Sequence, residues 1–167
     1  LSISLGVISE VEVSDGSGKV DIWLNGLKAE APVTEHAVRH LLKDRSLDVK
    51  VRNELQLPVA QGFGTSAAGS LSAAWALAEL LEVPHSEAYV AAHVAELANR
   101  TGMGDVSGIM RGGIEVRCKA GLPPRGQVER LNGHMELVLA VVGPSIPTAE
   151  KLSSPEVRDQ VNAAGKG

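Results

Sequence analysis

Residues Pro58 to Gly69 read Pro-Val-Ala-Gln-Gly-Phe-Gly-Thr-Ser-Ala-Ala-Gly, and no other stretch restricts the fold as tightly. Its side chains are small, two glycines come early, and the hydroxyls of Thr65 and Ser66 sit in the middle. It follows an alternating apolar run and precedes the longest helical pattern in the chain. A glycine-rich turn entering a helix presents free backbone N–H groups at the positive end of the helix dipole, which is how a chain holds a phosphate. A Walker A loop is excluded, because no Lys follows the glycines. Gly62-Phe63-Gly64-Thr65-Ser66-Ala67 also fits the GxGxxG/A pattern of dinucleotide folds, but those need a strand after the helix. Here a second helical pattern follows. The purely structural alternative is a turn that caps a buried helix through Thr65 or Ser66.

The flanking chain is read from its periodicity. Leu1 to Val13 alternates as a strand, and Ser14 to Gly18 is a turn cluster. Val20, Ile22 and Leu24 alternate again, and Asn25-Gly26 is a hairpin turn leading to a short strand over Leu27 to Ala31. The chain is thus expected to open as an antiparallel meander. Thr34 is placed to cap a helix running to Lys43, with Ala37, Val38, Leu41 and Leu42 on its core face. His36 and His40 lie one turn apart on that helix, lack a third ligand, and read as a solvated flank. Leu47 to Leu57 is a further strand. Ser66 to Leu81 is apolar on more than one face, so this helix is buried. Pro84 ends the connection, Ser86 is placed to cap, and Glu87 to Ala98 is the next helix. Asp105 opens a short helix before Gly112-Gly113. Ile114 to Cys118, Val128 to Leu131 and Glu136 to Val142 are strand candidates, the last apolar enough to be central. Pro155 to Ala163 reads as a helix with Pro155 in its first turn.

Composition excludes some functions. The net charge is −4, and aromatic residues make up only 2%, so basic patches and stacking platforms for nucleic acid are scarce. The core must be built from Ala, Val, Leu and Ile. Cys118 is the single cysteine. No disulfide within the chain and no CxxC site is available, which fits a reducing cytoplasm. The apolar run Leu71 to Leu81 is too short to cross a bilayer, and no signal-peptide pattern is present. The chain starts inside a strand pattern without Met and stops just after a helical one, so it reads as a piece of a longer protein.

Pro58-Val-Ala-Gln-Gly62-Phe-Gly64-Thr65-Ser66-Ala67-Ala68 resembles the second signature of the GHMP small-molecule kinases, Pro-x-x-x-Gly-Leu-Gly-Ser-Ser-Ala-Ala. Phe63 and Thr65 are its only departures. The resemblance continues through Glu96, at the end of an apolar-faced helix, and Asp105 in Gly102-Met-Gly-Asp-Val106, followed by Gly112-Gly113. It implies an α+β, two-layer fold with helices on one side of a mixed sheet, the ribosomal protein S5 domain 2-like half of such a kinase, with a left-handed βαβ crossover. Residues 1–133 would form the N-terminal ATP-binding domain and 134–167 the start of a ferredoxin-like second domain. Backbone around Gly62, Gly64, Thr65, Ser66, Ala67 and Ala68 would hold the ATP phosphates. Ser66 and Glu96 would hold Mg²⁺, and Asp105 would act on the acceptor hydroxyl. The family's other two signatures would lie before Leu1 and after Gly167. Read singly and without the resemblance, Glu96 is a solvated helix end and Asp105 a helix N-cap.

Within the family, the combination of this loop with Ala92-His93-Val-Ala-Glu96, Gly104-Asp105-Val-Ser-Gly108 and Gly112-Gly-Ile-Glu-Val-Arg117 resembles the archaeal pantoate kinases over nearly the whole chain. That implies ATP and a small hydroxy acid as ligands, with no nucleic acid and no membrane. His93, Arg117 and Thr148 suit a carboxylate with neighbouring hydroxyls, with Arg100 and Arg111 as further candidates. Their structural alternatives are an interior histidine, a surface strand residue and a helix cap. A homodimer is compatible with a sequence that is otherwise silent on assembly. The competing functions are a mevalonate- or homoserine-type kinase, and an RNA-contacting domain of the same fold.

Overall fold

The computed structural model describes residues 1–102, 104–145 and 154–164. Its strands are β1 (Val7–Asp15), β2 (Val20–Leu24), β3 (Leu27–Lys28), β4 (Leu47–Leu55), β5 (Ile114–Lys119) and β6 (Gln127–Leu131). Its helices are α1 (Pro32–Leu42), α2 (Thr65–Leu80), α3 (His85–Asn99), α4 (Asp105–Arg111) and α5 (Pro155–Ala164).

The main sheet has the order β1-β4-β2-β3. β1 runs antiparallel to β4, with Val11 opposite Val51, and β2 runs parallel to β4, with Ile22 opposite Val51. The expected meander is therefore wrong: β4 inserts between β1 and β2. Asp48 near the start of β4 shows how the connection is held. Its Oδ1 accepts the N–H groups of Lys19 and Ser17, each at 2.8 Å, so the β1–β2 turn wraps over the end of β4. Those amides hold the Asp48 carboxyl below the usual carboxylate range. The parallel β2–β4 pairing requires the crossover that α1 supplies.

β4 buries Val49, Val51 and Asn53 and exposes Lys50, Arg52 and Glu54, as period-2 alternation demands. On the open face Arg52 pairs with Glu12 and lies 5.6 Å from the Trp23 ring centroid. All three long helices stack on the buried side: α2 against β1 and β4, and α1, α2 and α3 against one another. Ala37, Ala67, Ala73, Ala74, Ala78, Ala88, Ala91, Ala92 and Ala95 are completely buried where these helices meet. Small residues let the backbones approach closely, so a core almost without aromatics still fills. This is the expected two-layer α+β arrangement.

Several local expectations shift. Strand β1 begins at Val7, not Leu1. Helix α1 starts at Pro32, which needs no N–H there, and Thr34 is buried inside the first turn without capping it. Ser86 likewise caps nothing, because α3 starts directly after Pro84. Glu136 to Val142 forms no strand, and Val138 and Val142 are 99% and 94% exposed. An apolar run becomes a central strand only by pairing, and among the described residues no strand lies beside it. β5 and β6 form a separate antiparallel hairpin.

Candidate active site

The glycine loop turns by repeated use of left-handed backbone, with φ of 55° at Ala60, 80° at Gly62 and 64° at Gly64. Gly64 is the residue from which α2 departs, and no side chain caps that end. Thr65 and Ser66 are not caps but the first residues of the helix. The first backbone bond of α2 runs from the Ala68 N–H to the Gly64 carbonyl at 3.0 Å. The amides of Thr65, Ser66 and Ala67 therefore have no acceptor within the helix. Arg100, the C-cap of α3, adopts φ 55° and reverses the chain between α3 and α4.

That reversal brings the two acids together. Glu96 is completely buried. Neither of its carboxylate oxygens has a hydrogen-bond partner among the described residues. Burial, and then the charge of Asp105, push its carboxyl up to about 7; the Val106 amide offsets this only in part, from outside good hydrogen-bond geometry. Asp105 is the first residue of α4, with Gly104 in the cap position, so the N-cap alternative for it fails. Gly102 lies between the acids. A Cβ there would stand 2.9 Å from Glu96 Oε1 and 3.0 Å from Asp105 Oδ2. A Cβ on Gly64 would stand 3.5 Å from the same Asp105 oxygen. The ends of α3 and α4 and the glycine loop thus converge on the Asp105 carboxylate.

Two clefts flank the loop. One includes Phe63, Trp75 and Tyr89 beside Asp105. The other is lined by Thr34, Asn53, Ser66, Thr101, Gly102 and Asp105, so it joins the Ser66 hydroxyl to the Asp105 carboxylate. A third, polar cleft holds Asp105, Ser107, Glu115 and Arg117. The Arg117 guanidinium lies over Gly104, in space that any Cβ there would occupy. It makes no ion pair among the described residues. His93 is half-buried, with Nδ1 unpartnered among the described residues. Burial, and then the Arg117 charge, lower its pKa.

The structure therefore gathers Ser66, Asp105 and the loop around one cleft and Asp105 and Arg117 around another, whereas Glu96 and His93 line none of the three and Glu96 meets Asp105 only across Gly102. Thr148 lies outside the described residues. Arg100 and Arg111 line none of the three clefts. His36 and His40 belong to no cluster of three potential metal ligands among the described residues. Sequence reasoning assigned no role to Asn53 or Glu115. Glu115 had a usable signal, its place two residues before Arg117 and hence on the same face of β5.

Residues 32–113 match the family described as the GHMP kinases N terminal domain. The chain is 33% identical over 162 residues to the pantoate kinase of Thermococcus kodakarensis, covering 95% of this chain and 54% of that protein. It is 28% identical over 138 residues to the pantoate kinase of Methanospirillum hungatei, covering 81% and 47%. Among solved structures, a phosphotransferase related to the CoA biosynthesis pathway superposes with a TM-score of 0.71 at 32% identity, over 78% of this chain and 46% of that one. The homoserine kinase of Cytophaga hutchinsonii, at 18% identity, TM-score 0.59 and coverage of 74% and 42%, shares the fold. The chain spans about half the length of the curated relatives it matches.

Proposed function

This chain belongs to the GHMP kinase family through its residues 32–113, and on that premise we propose that its protein transfers the γ-phosphoryl group of ATP to the primary hydroxyl of pantoate, giving 4-phosphopantoate for coenzyme A synthesis. The observation that carries this reading is the meeting of Glu96 and Asp105 across Gly102, beside the uncapped end of α2. Identity to two pantoate kinases supports the choice of acceptor.

Phosphoryl transfer depends on positioning and charge stabilisation. Backbone N–H groups from Gly62 to Ala68 hold the ATP phosphates at the positive end of α2. A divalent cation fits the donors present, because a buried carboxylate without a partner is costly unless a cation meets it. Ser66 and Glu96 would hold Mg²⁺, an oxygen-preferring cation that keeps several waters and that would supply neutralisation of the phosphate charge when bound. Asp105 Oδ2 accepts the proton of the attacking hydroxyl or holds that hydroxyl in line. Arg117 forks onto the pantoate carboxylate, with His93 orienting the rest of the acid. Residues 1–133 form the ATP-binding unit, and 134–167 open a second domain. The single cysteine fits the reducing cytoplasm in which we place the protein, and no helix among the described residues is long and apolar enough to cross a membrane.

The test is a panel of pantoate, mevalonate and homoserine with the full-length protein and Mg-ATP, reading ATP consumption. Pantoate should give the highest kcat/KM. Faster turnover of either rival would overturn the assignment.

A further inference from the structure

The polar cleft contains a charged group that the reaction scheme leaves unused. Glu115 and Arg117 are alternate residues of β5, so both side chains leave the same face of the strand. They lie over α4, at places where that helix has no side chains. A Cβ on Gly108 would stand 3.0 Å from Glu115 Oε1, and one on Gly104 would overlap the Arg117 guanidinium. These glycines are four residues apart, about one helical turn. Their missing side chains open a single stripe along α4, next to Asp105.

The Glu115 side chain is only 13% exposed. Oε2 is buried and has no hydrogen-bond partner among the described residues. No ion pair joins Glu115 to Arg117 among those residues, although they share one cleft. A buried carboxylate oxygen with no donor is expensive, and a bound hydroxyl would satisfy it.

We propose that Glu115 Oε2 accepts a hydrogen bond from the acceptor's second hydroxyl, the one beside its carboxylate, while Arg117 holds the carboxylate. The proposal rests on the pantoate reading above. It makes Glu115 a specificity-determining residue: the site selects a 2-hydroxy acid, because an acid without that hydroxyl leaves Oε2 unpaired. Gly104 and Gly108 are then required so that both charged groups can reach the substrate from one strand.

The experiment compares pantoate with 4-hydroxy-3,3-dimethylbutyrate, which lacks only the 2-hydroxyl, in the full-length protein. The wild type should favour pantoate about 10–100-fold in kcat/KM, the range for a hydrogen bond to a charged group. E115A should bring the preference close to unity with KM for ATP unchanged. E115Q keeps the shape but loses the charge and should cut the preference several-fold; it decides the matter if E115A melts early. Variants that fold and keep the wild-type preference overturn the Glu115 role while leaving the acceptor assignment standing. A wild type that uses both acids equally does the same. A wild type that phosphorylates neither acid overturns the acceptor assignment, and the Glu115 proposal with it.

Discussion

Burial, and then the neighbouring charge of Asp105, lift the Glu96 carboxyl from 4.5 to about 7. The folded protein therefore holds a proton on Glu96 across a pH window in which the unfolded chain has released it. Stability falls as pH rises from 4.5 through about 7 and stays lower above. The contribution is on the order of 3 kcal/mol. In metal-free buffer the wild-type Tm should drop between pH 5 and pH 8, whereas Glu96→Gln should drop less and melt higher at pH 8. Mg-ATP should raise the Tm of the wild type at pH 8 more than that of the variant, which keeps only the loop's phosphate contacts. A variant that tracks the wild type at every pH would refute the role of Glu96.

Gly102→Ala tests the meeting of the two acids. Its Cβ would stand within 3.0 Å of oxygens from both Glu96 and Asp105, so one of them must move. A displacement near 1 Å at reacting groups costs about 10²-fold in rate. The expected result is a kcat loss of that order with an unchanged circular dichroism spectrum. Full activity would mean that the acids tolerate separation and do not act together.

Asp105→Ala and Arg117→Ala should fail in different ways. Loss of the Asp105 carboxylate should lower kcat by about 10²–10⁴-fold and leave KM for ATP near normal. Loss of the Arg117 fork should raise KM for pantoate roughly 10-fold or more, with little change in KM for ATP. Near-normal kcat in the first variant would remove the proton-acceptor role. Equal rises in both KM values in the second would argue against a carboxylate contact.

Leu77 is a fully buried side chain on α2, packed among the alanines of the helical layer. Leu77→Ala should cost about 2–5 kcal/mol, because closely packed helices cannot collapse into the void. Urea unfolding should show a lower midpoint with an unchanged slope. A loss below about 1 kcal/mol would mean that the layer relaxes more readily than its packing implies.

Much of this protein is legible from local patterns. The glycine loop and the two apolar helices after it are recognisable by spacing, whereas Glu96 and Asp105 stand out only through the resemblance to the GHMP kinases. Helical periodicity and turn chemistry act over a few residues, and each leaves its mark within a short window. The same local rules misplace Thr34 and Ser86 as caps, because Pro32 and the Pro84 connection start their helices earlier. They also promote Glu136 to Val142 to a strand, since hydrophobicity signals a wish for burial without naming a partner.

By itself the sequence determined a glycine-rich loop at the head of a buried helix, two acids downstream, and a dense likeness to the GHMP kinases. Tertiary structure alone decided that β4 enters between β1 and β2, that Glu96 is buried and proton-retaining, and that Gly102, Gly104 and Gly108 make room for charged groups. Strand order, desolvation and side-chain clearance are set by residues far apart along the chain. Folding brings them together, and no window along the sequence contains both partners.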